Sequence, residues 1–216
     1  MTRKSFFFFN IFFLYLFSIN VSLADIQKKL INQITATKTL TFNFTQKIED
    51  QIETGTCFIK YPLLMKCNYK NLKQKTIISN GSTVAVIKKK YKKIYYYPIK
   101  STPLFFILKK EKILNLVRKS KPKEINSNLI KFVFINKKKV KIEIMFDKNT
   151  LEFKGWRTKD IYSNNVNFIV SNLEINNQIV DDFFKIPNEN DLWLTFIFPL
   201  LKLDNFLNTS MEESHF

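Results

Sequence analysis

Few residues of this chain could do chemistry. The clearest pair is Cys57 and Cys67, each five residues from Pro62. If the strands on either side pair around that turn, the two thiols meet on one face, and an oxidising compartment would join them as a disulfide. The alternative is two buried thiols acting as small hydrophobes. His215, the only histidine, sits next to the C-terminal residue, where an imidazole is ordinarily a solvated side chain. Asp181-Asp182 reads as the entry to a helical turn rather than a metal pair. G-x-S-x-G, P-loop and H-E-x-x-H patterns are absent. Two cysteines without further ligands do not hold structural zinc. With no evident general base, the expectation is a binding protein, not an enzyme, with no cofactor and no metal.

The chain has 216 residues, which suits one domain with a substantial core. Glycine is scarce, at 3, and phenylalanine abundant, at 23. The net charge is +17. AT-rich codon usage accounts for part of this bias towards Lys, Asn and Ile. The other source is a partner with an acidic surface, such as anionic lipid, an acidic protein or nucleic acid. Nucleic acid is the weakest of these, because no helix-turn-helix, zinc spacing or RNP-type motif is present, so no nucleic-acid partner is expected.

Residues 1–24 read as an address. Arg3 and Lys4 precede an apolar run from Phe6 to Phe17, broken only by Asn10, and Ser22-Leu23-Ala24 has the small residues of a cleavage site. This predicts a Sec-type signal peptide removed after Ala24. The run is short for a membrane span, which needs about 20 apolar residues. Cleavage removes Arg3 and Lys4 and no acid, so the charge falls from +17 to +15.

The rest of the chain must position the cysteines and bury its many apolar side chains. Ile26, Leu30, Ile31 and Ile34 share one face of a helix that starts near Asp25, a suitable N-cap. Leu40, Phe42 and Phe44 alternate with polar residues as a half-buried strand, and 50–53 is expected to turn the chain. Strands are expected near 54–60, 65–70, 74–79, 82–88 and 92–97, with a hairpin at Asn80-Gly81. Val84 and Val86 share one face of their strand and Ala85 and Ile87 the other, which predicts cover on both sides. Residues 102–109 and 111–119 read as helical. Further strands follow at 129–135, 140–146, 151–155 and 166–175, then a helical turn at 181–184. Strands of a meander pair with their sequence neighbours, so a curved sheet or open barrel fits better than a sandwich. From Asp191 the chain turns apolar, with Pro199 breaking the run, and 191–216 is set apart as a tail.

Several short motifs appear in a particular order. Phe42 to Lys47 reads FNFTQK; Gly55 is followed by Tyr61-Pro62-Leu63-Leu64-Met65-Lys66 and Tyr69; Ile78-Ser79-Asn80-Gly81 precedes a strand and then Thr102-Pro103-Leu104. This order resembles the periplasmic outer-membrane lipoprotein carrier family, LolA, over about residues 25–187. The resemblance implies an α+β, mainly β fold: an unclosed antiparallel β-barrel, or strongly curved sheet, with an N-terminal helix and a helical lid over an apolar cavity. The carrier domain would span 25–190.

The same resemblance implies a function. The chain would take acylated lipoproteins as cargo from an inner-membrane Lol ABC transporter. It would carry them through the periplasm as a monomer, with transient membrane-surface contact, and pass them to an outer-membrane receptor such as LolB. Acyl chains would be held by Phe42, Phe44, Phe58, Met65, Tyr69, Ile78, Leu104, Ile107, Leu108 and Leu114. The family often has arginine before the turn proline as a lid latch; here Tyr61 occupies that position, with Lys66 nearby. An ordinary core is the plainer reading of the aromatic positions. Two alternative functions fit the same features: a related lipid-binding or envelope-stress-sensing protein with the same open barrel, or a structural protein held on the inner membrane by an uncleaved N-terminus and the apolar tail.

Overall fold

The structure of the protein, a computed structural model, describes residues 23–190 apart from 73, 127, 136–139 and 161–162. The expected signal peptide and the tail from Asp191 lie outside the described residues, except that Leu23 and Ala24 open the first helix. Helix α1 (Leu23–Ala36) begins two residues ahead of the expected cap, so Asp25 sits inside the first turn and pairs with Lys29 at 2.8 Å. Eleven strands follow: β1 (Thr39–Ile48), β2 (Gln51–Lys60), β3 (Leu64–Tyr69), β4 (Lys75–Asn80), β5 (Thr83–Lys88), β6 (Lys93–Pro98), β7 (Lys123–Glu124), β8 (Leu129–Ile135), β9 (Lys141–Asp147), β10 (Phe153–Lys159) and β11 (Asn165–Ile175). Between β6 and β7 lie α2 (Leu104–Leu108) and α3 (Lys110–Lys119).

All eleven strands form one antiparallel sheet in the order β6-β5-β4-β3-β2-β1-β11-β10-β9-β8-β7. The sheet is unclosed, with β6 and β7 as its edges. Each strand pairs with a sequence neighbour except at β1, which also takes β11 on its far side. The expected turn at 50–53 is shorter than read, because the chain reverses at Glu49-Asp50 and β2 already starts at Gln51. The two-residue strand β7 was not evident from the sequence.

Turn and bulge chemistry follows the residue types. Asn80 accepts backbone N–H bonds from Ser82 and Thr83 through Oδ1, at 3.2 and 2.9 Å, and Gly81 supplies φ +100, which closes the β4–β5 hairpin. β11 bulges opposite β1 between Ser171 and Glu174, where Asn172 takes a left-handed conformation. β10 bulges next to Gly155, at φ +126. Both bulges bend their strands and increase the local twist.

The two faces of the sheet are covered differently. On the inner face, Leu40, Phe42 and Phe44 of β1 lie in one cluster with Met65, Trp156 and Phe168 beneath Ile107 and Leu108 of α2. Phe132, Ile144 and Phe146 form a second cluster with Ile26 and Leu30 of α1 and Ile113 and Val117 of α3. On the outer face, the segment after β11 crosses back over β2 to β5. Phe183 meets Phe58 edge-on at 5.0 Å, Ile186 covers Ile78, Ala85 and Ile87, and Lys60 Nζ donates to the Ile179 carbonyl at 2.7 Å. Ala85 and Ile87 are buried under this outer cover and Val84 in the inner cluster, which is the two-sided cover expected of β5.

Cys57 stands directly opposite Cys67 in the β2–β3 pairing, with Cα atoms 4.1 Å apart, and the two are bonded. The cross-link closes a short loop containing the cis Tyr61–Pro62 turn. Chain-entropy arithmetic for a loop of this length gives about 2–3 kcal/mol of stabilisation. Reduction of the intact protein is expected to lower Tm by about 4–12 °C. An unchanged Tm, or two alkylatable thiols in the unreduced unfolded chain, would contradict the bond's role.

Glu143 of β9 is buried on the outer face, 6% exposed, between Lys131 at 3.1 Å and Lys141 at 2.6 Å. Burial pushes its pKa up, but the hydrogen bonds and charges of Lys141 and Lys131 outweigh that and hold it below the ordinary carboxylate value. A lowered folded-state pKa stabilises the fold above the unfolded value of about 4.3, and the gain is lost as pH falls through the folded value. Glu143→Gln should therefore cost on the order of 1–2 kcal/mol at pH 7. The difference from wild type should shrink progressively in urea melts as pH falls below the unfolded carboxylate value. A pH-independent difference would contradict the ion-pair account.

Candidate apolar binding cavity

A cavity of about 300 Å³ opens between the two halves of the sheet. That volume is at the lower end of small-molecule pockets, about 300–1,000 Å³. One wall is Met65, Cys67 and Tyr69 of β3 with Ile77 of β4 and Val84 and Val86 of β5; the opposite wall is Trp156 of β10 with Val166 and Phe168 of β11. Leu104 and Ile107 of α2, with Thr102 and Pro103 before it, cover the space, and Tyr97 of the edge strand borders it. Strand alternation puts the side chains that the strands contribute on the inner face.

The opposite wall is stiff. Trp156 stands across from Phe168 in the β10–β11 register, and their rings stack at 3.9 Å. Phe168 also stacks on Phe44 at 4.7 Å. One end of the cavity is polar but uncharged. Tyr69 donates its hydroxyl to Gln46 Oε1 at 2.6 Å. Burial pushes the Tyr69 pKa up, and the Glu53 carboxylate adds to it, so the phenol stays neutral at physiological pH. The Lys75 ammonium lies over the same ring, 3.8 Å from its centroid, and pairs with Glu53. Thr158, Lys159 and Asp160 also border the space, beside an otherwise apolar lining that can hold an apolar ligand by area.

The cover is fastened unevenly. α3 is held at both ends against α1: Gln27 donates to the Ser120 carbonyl at 3.3 Å, and Lys110 Nζ donates to the carbonyls of Thr35 and Thr37 at 3.1 and 2.9 Å. α2 is joined to the β2–β3 turn by one backbone bond, from the Leu63 N–H to the Leu108 carbonyl at 3.0 Å.

Residues 35–187 match the family of the outer membrane lipoprotein carrier protein LolA. The chain belongs to this family. No curated protein matches it. Among solved structures it is similar to an uncharacterised conserved protein from Thermus thermophilus, with 9% identity and TM-score 0.47, covering 77% of this chain and 96% of that one. A LolA superfamily protein from Nitrosomonas europaea gives 8% identity and TM-score 0.41 over 77% and 98% of the two chains. The MucA/MucB complex of Pseudomonas aeruginosa gives 8% and 0.44 over 77% and 62%.

Of the ten residues that the LolA resemblance nominated for acyl chains, Met65, Tyr69, Leu104 and Ile107 line the cavity. Phe42, Phe44 and Leu108 belong to the core cluster behind it rather than to its surface. Phe58 and Ile78 are on the outer face, against Phe183 and Ile186. Alternation is the reason: Phe58 is the neighbour of the inward Cys57, and Ile78 is the neighbour of the inward Ile77, which pairs with Cys67. Leu114 is buried on α3 and does not border the space.

The expected LolA latch is differently built. Lys66 follows the inward Met65 and so points outward, where its ammonium lies 4.2 Å from the Phe183 ring centroid and 3.3 Å from the Phe183 carbonyl. The Tyr61 ring borders a separate small pocket with Ile113 and Phe153, 5.8 Å from the Lys110 ammonium. Among the described residues its hydroxyl has no hydrogen-bond partner. The Leu63–Leu108 backbone bond and the Lys110 bonds to α1 join cover to body instead. Sequence reading missed Val84, Val86, Trp156, Phe168 and Gln46. Val84 and Val86 had a usable signal in their shared face; Gln46 had none, because its partner Tyr69 is 23 residues away.

Proposed function

We propose that the protein carries acylated lipoproteins across the periplasm, with their acyl chains in the cavity beneath α2. The observation that carries this reading is an almost wholly apolar cavity, with Lys159 and Asp160 only at its border, under a short helix in a chain of the LolA family. Each methylene moved from water into such a site yields about 0.8 kcal/mol, so affinity grows with chain length and needs no polar anchor. Loose attachment without such an anchor suits a protein that must also release its cargo. The Cys57–Cys67 bond and the family support an exported, periplasmic location. An inner-membrane Lol transporter would supply the cargo and an outer-membrane receptor such as LolB would take it.

The reading is tested by adding the purified protein to spheroplasts. Outer-membrane-type lipoproteins should be released into the supernatant as a soluble complex with it. Folded protein that binds lipid but releases no lipoprotein would overturn the carrier reading in favour of a lipid sensor.

The cover should open at α2, where it is least fastened. Amides of Leu104–Leu108 should exchange with deuterium at least about ten-fold faster than those of Ile142–Phe146 in the empty protein. Equal protection would contradict a moving cover.

A further inference from the structure

Between Glu53 and Glu111 the chain contains thirteen lysines and no aspartate or glutamate. With 18 acids in 216 residues, a stretch of this length would carry about five. That expectation already uses the chain's own composition, so composition leaves this gap unexplained. The structure gathers a large share of these lysines around one edge. Lys88, Lys89, Lys90, Lys92 and Lys93 surround the β5–β6 turn, and Lys100 follows β6. Among the described residues no carboxylate pairs with Lys89, Lys90, Lys93 or Lys100. Lys89 is close enough to Lys66 for its charge to help lower the Lys66 pKa, behind the larger effect of burial.

The edge strand within this charge is aromatic. Tyr95, Tyr96 and Tyr97 of β6 are all exposed, as is Tyr91 in the turn before it. Lysines that guard an edge against strand pairing explain Lys93. They do not explain three consecutive exposed tyrosines. Tyr97 also borders the cavity, beside Thr102 and Pro103, so the aromatic edge is continuous with the cavity mouth.

We propose that β6 and its basic turn dock on a bilayer surface rich in anionic lipid and set the cavity mouth at headgroup level. This rests on the carrier reading and adds the surface from which cargo enters or to which it leaves. Tyrosine suits the position, because its ring lies at the apolar boundary while its hydroxyl stays wet. Each lysine near an anionic membrane surface strengthens attachment, and salt weakens it. A bilayer is favoured over an acidic protein because one surface would satisfy the lysines with phosphate, the rings with the interface and the adjacent cavity with acyl chains.

The test is co-sedimentation of the full protein with phosphatidylglycerol–phosphatidylcholine vesicles and with phosphatidylcholine alone, beside a separate solution assay of fluorescent fatty-acid binding. Wild type should bind the anionic vesicles, lose binding as salt rises, and ignore the neutral ones. Lys89→Gln with Lys90→Gln should weaken vesicle binding about thirty-fold, and Tyr95→Ser with Tyr96→Ser should weaken it further, while fatty-acid binding stays unchanged in both variants. Absent vesicle binding, or binding indifferent to these substitutions, overturns the docking surface. Capture of acidic proteins without vesicle binding overturns it too and assigns the edge to a protein partner. Vesicle binding that persists with no fatty-acid binding supports the docking surface and counts against the carrier reading alone.

Discussion

Gly155→Val is expected to destabilise the protein by about 3 kcal/mol or more, lowering Tm by roughly 6–12 °C. Two effects combine at this position. Its φ of +126 is a conformation that side chains rarely adopt, which costs about 1–3 kcal/mol for a non-glycine residue. A Cβ there would also run into the backbone carbonyl of Phe168 in the neighbouring strand, so no rotamer can relieve the clash. The β10–β11 pairing holds the stacked Trp156–Phe168 rings and with them one wall of the cavity. Gly55→Ala meets a comparable obstacle at the Asn68 carbonyl and the Phe44 ring, although its backbone is ordinary. Thermal melts of the three proteins check this. A Gly155→Val variant within 1 °C of wild type would show that the bulge is not needed.

Met65→Glu should reduce acyl-chain binding by at least about a hundred-fold. Met65 is 2% exposed and borders the cavity from β3, one of the three strands of its wall. Its thioether can repack around different chains. A carboxylate at this position has to lose its water when a chain enters, at several kcal/mol. At about 0.8 kcal/mol per methylene, a penalty of 5 kcal/mol cancels roughly six of them. Because Met65 is also part of the core cluster, Leu104→Trp gives an independent test: Leu104 is half-buried on the cover, and the larger ring fills the space without a charge. Both variants should fail in a fluorescent fatty-acid titration and in release from spheroplasts, with Leu104→Trp retaining the wild-type melt. Full binding by a folded variant of either kind would remove the cavity assignment.

The residues show why some of this was readable in advance and some was not. Alternation is a local signal, so β5 could be assigned two covered faces from Val84, Ala85, Val86 and Ile87 alone. The Asn80-Gly81 hairpin is local too, since Asn80 bonds backbone groups two and three residues ahead. Phase within a strand was the weak point. Phe58 beside Cys57, and Ile78 beside Ile77, are equally apolar neighbours, and only the pairing register decides which faces inward. The far wall depends on Trp156 meeting Phe168 across a hairpin, and the outer cover depends on Phe183 returning to Phe58 across most of the chain. Neither contact leaves a mark on nearby sequence. The motif order beginning with FNFTQK carried the family, while Lys66, named for the latch by its nearness to Tyr61 in sequence, lies on the outer face against Phe183.

The central claim is that this cavity holds the acyl chains of a protein cargo. Native mass spectrometry of the protein purified from the periplasm without detergent, before and after organic extraction, tests it most directly. The account predicts a population heavier by one lipoprotein, which returns to the bare chain on extraction and is missing from Met65→Glu and Leu104→Trp. A wild-type protein that carries only free lipid, or that remains bare while lipoproteins are being exported, would contradict it.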